Sequence, residues 1–446
     1  MHLPAELLQS LIGLPGYNQQ AFENIHAAGG QITSIRINAM KPAAIPGLES
    51  NVPWCSTGHY LRERPSFTFD PLFHAGCYYV QEASSMFLEQ AFSQLTSPDV
   101  PLRVLDLCGA PGGKSTHIQS LIPGGSLLVS NEVIRSRATV LKNNMIKWGG
   151  DNVVVTCNDP RDFASLGHFF DVIVVDAPCS GSGLFRRDAS AMEEWSEANV
   201  QLCSQRQQRI LADVWPALKP GGLLIYSTCS YSLDEDERIA DWLVNELKAA
   251  YRPLQIQPEW GITDTGKGYR FWPDQVKGEG FFLACFQKEA GEPSQPKRTR
   301  CKPDAITKKE LSFLAPWVKM DQHEFIRHEQ TVYAWPKELV ADMLYLLQET
   351  RVLYSGVLAG ELLRDKMLPD HALAMSQLIA EQVPRLPFTG KQAIQFLQRK
   401  DIEDAPSGRG WHLVTFSGYP LGWVNLLPNR LNNYYPKDLR ILKDNM

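Results

Sequence analysis

From Leu102 to Lys288 the chain alternates short, uninterrupted apolar runs with stretches long enough for helices. The runs are RVLDLC (103–108), SLLVSNE (126–132), VVVTC (153–157), DVIVVDAP (171–178), GLLIYST (222–228) and FFLACFQK (281–288). Strands that are apolar on both faces and separated by helix-length segments predict βαβ units and a parallel sheet covered on both sides. Ile134–Trp148 and Ala198–Leu218 have helix length, and Ile210, Leu211, Val214, Trp215 and Leu218 recur at helical spacing. Asp234-Glu-Asp-Glu237 predicts another helix start, with its acids at the favourable end of the dipole. The expectation is a doubly wound, Rossmann-like α/β domain over residues 76–290.

The flanks read differently. Residues 1–75 mix a helical start, a strand at Ile32–Ile37 and loops. Residues 291–310 have almost no large apolar side chains and hold six basic residues between Lys297 and Lys309, as a solvated basic linker does. A connecting domain follows over 311–390. Residues 391–446 carry short strand patterns, turn residues, aromatics and dispersed Arg and Lys, which predicts a small β-rich module.

Composition narrows the class. With 446 residues, 44% hydrophobic and 21% charged, the chain is a packed globular protein, which excludes disorder, collagen and coiled coil. Apolar runs such as Val172–Val175 and Leu223–Tyr226 are strand-sized, against the roughly 20 residues of a membrane helix. The N-terminus lacks the basic flank and long apolar core of a secretory signal. A soluble, cytoplasmic protein without membrane contact is expected.

The net charge of −5 is an average. Residues 1–100 carry 4 basic and 8 acidic side chains, 101–290 carry 19 and 23, and 291–446 carry 21 and 18. Only the last third is net positive, and its basic and aromatic content suits RNA contact. The nine cysteines form no CxxC or Cx₂₋₄C pair, so no zinc site, redox dithiol or other metal centre is expected.

Asp106-Leu-Cys-Gly-Ala-Pro-Gly-Gly-Lys-Ser115 follows the first strand and runs into a helix, where backbone N–H groups approach a ligand. Two cofactor classes compete for this cradle. Gly113-Lys114-Ser115 resembles the end of a P-loop, and Val172–Asp176 resembles the strand and acid that hold Mg²⁺ in nucleotide hydrolases. Cys108 stands where that loop needs its first glycine, and Pro111 removes a donor. S-adenosylmethionine is the alternative: Glu132, ending the second strand, can accept both ribose hydroxyls, and Asp159, ending the third, can reach the adenine amino group. Two acids suit a nucleoside better than a triphosphate, which they repel.

Cys179 follows the fourth strand in Asp176-Ala-Pro-Cys-Ser-Gly-Ser-Gly, and Cys229 follows the fifth in Ser227-Thr-Cys-Ser230. If these strands are neighbours, both thiols overhang one crevice. Carbon-5 of cytosine becomes nucleophilic only after a thiolate adds at carbon-6, and a second group must then remove the carbon-5 proton. Asp176 can hold the base edge, with Lys114 orienting the carboxylate. Cys108, Cys157 and Cys285 read instead as inert apolar filler. A P-loop hydrolase and a non-catalytic RNA-binding factor remain as alternatives.

DLCGAPGGK, NEV with Arg137 downstream, ND at 158–159, DAPCSGSG and YSTCS resemble, in order and spacing, the Nol/Nop/Sun-type RNA 5-methylcytosine methyltransferases. The match covers roughly residues 75–290. SIRIN (34–38), RFWPDQVKGEGFF (270–282) and YPLGW…LPNRLNNYYPKDLRI (419–441) resemble the family's bacterial branch, which methylates small-subunit ribosomal RNA. The resemblance implies that Cys229 attacks carbon-6 and that Cys179 assists release. It implies cofactor contacts from Cys108, Gly109, Ala110, Pro111, Gly112, Gly113, Lys114, Glu132, Arg137, Asp159 and Asp176. It further implies an N-terminal RNA-binding domain, a C-terminal PUA-like RNA-binding domain and a monomer acting on 16S-type RNA or the assembled small subunit. Transfer RNA or another RNA is the alternative substrate.

Overall fold

The computed structural model describes residues 3–289, 291, 303–304 and 306–444. Five of the apolar runs align in parallel, in the spatial order Val153–Thr156, Leu127–Asn131, Arg103–Asp106, Phe170–Asp176, Leu218–Thr228. Successive side chains leave a strand on opposite faces. Val104, Val172, Val174 and Ile225 therefore join one core with Ile118, Leu141 and Met145. Leu105, Ile173, Val175 and Leu224 join a second with Ile210, Leu211, Val214 and Leu243. Two buried faces explain why these strands read as continuous rather than alternating apolar sequence.

The sixth run departs from the expected parallel sheet. Phe281–Lys288 pairs antiparallel with Leu218–Thr228 and with Tyr269–Phe271. It returns from Tyr269–Phe271 through a loop with no crossover helix, so the chain must reverse direction.

The expected helices form over Arg135–Trp148, with Ile134 as its cap residue, and Glu197–Val214. After Val214 the chain tightens into a 3₁₀ turn at Trp215–Ala217, and Leu218 already belongs to the next strand. The acid-opened helix starts later than expected, at Glu237. Glu235 and Asp236 turn inward and are fully buried, so they do not serve as exposed charges at a helix end.

The flanking regions interlock with this domain. An antiparallel sheet of Leu48–Asn51, Gly58–Leu61, Ser34–Ile37 and Tyr78–Val80 carries the N-terminal region past the expected boundary at residue 75. Within 311–390, Val352–Ser355 leaves its neighbours and pairs antiparallel with Val153–Thr156, covering an edge of the parallel sheet. Arg385–Pro387 pairs with Gly410–Phe416, so the last sheet begins before residue 391 and continues through Tyr419–Leu427 and Arg430–Asn433. Of the expected linker 291–310, residues 292–302 and 305 lie outside the described residues. Among the described residues no helix is long and apolar enough to cross a membrane.

Candidate active site

The cradle joins Arg103–Asp106 to the helix Gly113–Leu121. Gly112 turns the chain at φ +119°, a conformation that favours glycine. Asn144 Nδ2 donates to Pro111 O at 2.8 Å, and Arg137 donates to Ala110 O at 3.1 Å, so the next helix braces the loop. Cys108, Gly109, Ala110, Pro111 and Gly113 line a cleft of about 210 Å³ with Lys114 and Asp176. Tyr79, Gln81, Glu82 and Arg187 line it too. Cys108 thus faces the cleft and is only partly buried, unlike the filler expected, whereas Cys285 is fully buried in the sheet. Cys157 is partly buried at the end of its strand, its sulfur 3.6 Å from Val133 O.

Glu132 and Asp159 lie at the ends of neighbouring strands, each already engaged. Glu132 Oε1 accepts the Ile134 N–H at 3.0 Å, and Oε2 lies 3.4 Å from Arg137. Asp159 caps the turn Pro160–Leu166 and accepts the Arg161 N–H at 3.2 Å. Each keeps lone pairs for a ligand hydroxyl or amine. Behind them Asp106 is fully buried; Oδ2 accepts Ser115 Oγ at 2.6 Å and Oδ1 has no hydrogen-bond partner. Burial pushes its pKa up to about 7 against the Ser115 bond, with Asp176 adding to the rise.

Lys114 decides between the two cofactor classes. Its Nζ lies 2.9 Å from Asp176 Oδ2 and 5.1 Å from the centre of the Phe281 ring. Burial penalises the ammonium, but Asp176, with Asp106 and Cys229 nearby, outweighs it and raises the pKa. A lysine committed to a carboxylate does not reach for a phosphate. The acid-rich set of acceptors, with an orphaned buried carboxyl oxygen at Asp106, fits S-adenosylmethionine, whose amine and ribose hydroxyls donate and whose sulfonium is positive.

The strands before the two thiols are neighbours in parallel register, Asp176 opposite Ser227. Cys179 Sγ and Cys229 Sγ consequently lie 2.9 Å apart. Asp176 Oδ1 accepts Ser227 Oγ at 2.8 Å, so its carboxylate is held from both sides. The hydrogen bond with Cys229, then burial, raises the Cys179 pKa well above that of an ordinary thiol.

Behind the thiol loops stands a buried polar cluster that the sequence reading missed. Glu235, Asp236 and Glu237 are consecutive and at most 5% exposed. Glu235 accepts hydrogen bonds from Ser180 and Ser230; Asp236 Oδ1 accepts Thr228 Oγ1 at 2.6 Å. Arg270 Nε donates to Glu237 Oε1 at 2.6 Å and its Nη1 lies 3.2 Å from Asp236. The available signal was Arg270 itself, one cation between Tyr269 and Phe271 in an apolar strand, which requires a buried acid opposite.

The chain matches known proteins along most of its length. A family model described as 16S rRNA methyltransferase RsmB/F matches residues 94–287. Models of the N-terminal domain of 16S rRNA methyltransferase RsmF and of the methyltransferase RsmF PUA domain match 3–83 and 383–441. The ribosomal RNA small subunit methyltransferase F of Shewanella loihica is 31% identical over 415 residues, spanning 87% of this chain and 83% of that protein. Its counterpart in Aliivibrio fischeri is 31% identical over 408 residues, spanning 87% and 85%. A methyltransferase homologue from Pyrococcus horikoshii, 26% identical, superposes with TM-score 0.52 over 64% of this chain and all of its own. NSun6 from the same organism, solved with SFG, shares the fold at TM-score 0.54 and 19% identity, covering 64% and 98%. With its three segments matched in order, the chain belongs to the 16S rRNA methyltransferase RsmB/F family, as a Rossmann-like methyltransferase with an RsmF-type N-terminal domain and a PUA domain.

Proposed function

We propose that the protein transfers the methyl group of S-adenosylmethionine to carbon-5 of a cytosine in small-subunit ribosomal RNA, as a cytoplasmic monomer without a metal. The observation that carries this reading is the pair of thiols 2.9 Å apart beside the Lys114–Asp176 pair, because one base entering there meets both sulfurs. The names of the relatives support ribosomal RNA as the substrate.

The Cys229 thiolate adds to carbon-6 and pushes the ring electrons toward carbon-5. Asp176, steadied by Lys114 and Ser227, accepts a hydrogen bond from the exocyclic amino group of the base. S-adenosylmethionine supplies the electrophilic methyl group that carbon-5 accepts. With Cys229 bonded to carbon-6, its hydrogen bond no longer holds the proton on Cys179. Cys179 gives that proton to solvent, the resulting thiolate takes the carbon-5 proton, the carbon-5–carbon-6 double bond re-forms, and Cys229 leaves as a thiolate. The target base must first unstack, at a cost of a few kcal/mol. The N-terminal and PUA domains grip the folded RNA by shape and phosphate contact.

Labelled S-adenosylmethionine and small-subunit RNA test the reading. Cys229→Ala abolishes transfer while cofactor binding survives, and retained transfer would sink the mechanism. Cys179→Ala leaves protein covalently attached to RNA on a denaturing gel, because elimination stalls after addition. Absence of that adduct removes the release role.

A further inference from the structure

Glu235 sits on the turn before the Glu237–Glu246 helix, fully buried and away from the cleft. Its Oε1 accepts the Ser180 N–H at 2.8 Å and its Oε2 accepts Ser180 Oγ at 2.6 Å. The same Oε2 accepts Ser230 Oγ at 2.6 Å. Ser180 directly follows Cys179, and Ser230 directly follows Cys229. One carboxylate therefore ties together the two residues next to the thiols.

The arrangement has a cost that packing alone would not require. Glu235 makes no ion pair among the described residues, and burying an acid without a cation is unfavourable. Gln207 fills part of the remaining valence, with Nε2 3.4 Å from Oε1 and 3.1 Å from Pro178 O. Backbone bonds from Ala177 N to Ser227 O at 2.8 Å and from Gly183 N to Cys229 O at 2.9 Å hold the Cys179 loop at its two ends. The loop between those anchors carries Cys179 and rests on the carboxylate. Three close bonds converge on this one carboxyl group, which suits a staple whose task is to fix a distance.

We propose that Glu235 is a positioning residue that sets the spacing of Cys179 and Cys229, so that the release thiol stays aligned on the base after the other has added. The proposal rests on the two-thiol reading above. Two of the three close bonds go to the Cys179 side and one to the Cys229 side. Loosening the staple therefore harms release more than addition.

The test measures steady-state turnover, the Kd for S-adenosylmethionine and the fraction of protein trapped on RNA in a denaturing gel. The variants are Glu235→Ala, Glu235→Gln, Ser180→Ala and Ser230→Ala, with Cys179→Ala as reference. Misplacement of a reacting group by about 1 Å costs about a hundredfold, so kcat in Glu235→Ala falls roughly ten- to a hundredfold while the Kd changes about twofold at most. Glu235→Ala and Ser180→Ala accumulate adduct, Glu235→Gln accumulates less, and Ser230→Ala slows without trapping. If Glu235→Ala does not fold, the two serine variants carry the comparison. Uniform slowing with no adduct in Glu235→Ala and Ser180→Ala, while Cys179→Ala does trap RNA, overturns the positioning role. No adduct in Cys179→Ala removes the two-thiol reading, and the proposal with it.

Discussion

Replacing Arg270 by methionine tests whether the buried acids behind the thiols depend on this one cation. Arg270 is 1% exposed. Its Nε bonds Glu237 Oε1 at 2.6 Å, a second nitrogen bonds Glu237 Oε2, and Nη1 donates to Tyr231 O at 2.9 Å. Methionine fills similar space but leaves the Glu237 carboxylate and the Tyr231 carbonyl without their partner. Removing one member of a buried ion pair costs about 3–5 kcal/mol. At about 2–4 °C per kcal/mol, the catalytic domain should melt roughly 6–20 °C lower. Differential scanning fluorimetry at pH 8 and pH 6 reads the loss. The stranded acids take up protons more readily in the folded variant than in the unfolded chain, so the defect shrinks as the pH falls. Adding Asp236→Asn and Glu237→Gln to Arg270→Met should recover most of the loss, because the charges are removed with their counterion. A loss below about 1 kcal/mol in the single variant, or no recovery in the triple one, refutes the reasoning.

Three further outcomes are expected. Asp176→Asn, which weakens the grip on Lys114 and on the base edge, should lower single-turnover methylation roughly a hundredfold or more even at S-adenosylmethionine concentrations that calorimetry shows to be saturating. Asp106, raised by burial to about 7, keeps its proton in the folded state while the unfolded chain loses it above pH 4. Stability from this group is therefore lost as pH rises through that window, by at most about 4 kcal/mol at about 1.4 kcal/mol per unit. Thermal melts should show Asp106→Asn gaining on the wild type between pH 5 and pH 8, and an unchanged difference would contradict the assignment. A Cβ at Gly183 would lie 2.5 Å from Gly280 O and 2.8 Å from Cys229 O, both backbone atoms. Gly183→Ala should accordingly cost about 1–3 kcal/mol and slow methyl transfer by shifting the Cys229 loop, which a denaturant midpoint and a kcat measurement check.

Much of the catalytic domain was legible because its signals are local. Continuous apolar runs such as Val172–Val175 announce a strand covered on both faces, and Gly112 marks the sharp turn into the helix that carries Lys114. Orientation was harder to read: Phe281–Lys288 has the same apolar signature as its parallel neighbours, and hydropathy does not encode strand direction. The edge strand Val352–Ser355 was illegible for a related reason, since its partner Val153–Thr156 lies two hundred residues away in the chain. Asp234–Glu237 misled because acids at a helix start are common, and it takes opposing groups such as Arg270, Ser180, Ser230 and Thr228 to make their burial tolerable.

The sequence by itself determined the chemical inventory: a glycine-rich cradle after the first strand, acids at the next two strand ends, and two thiols in turn sequences. Those are properties of residue type and spacing, which persist however the chain folds. Tertiary structure alone decided which groups meet. Parallel pairing of Phe170–Asp176 with Leu218–Thr228 converts fifty residues of separation into a sulfur–sulfur distance of 2.9 Å. Burial then assigns Lys114 to Asp176 instead of to a phosphate, and turns Glu235 from a surface charge into the bond between the two thiol loops. Hydrogen bonding and desolvation act over a few ångströms in space, so they depend on neighbours that the order of residues does not reveal.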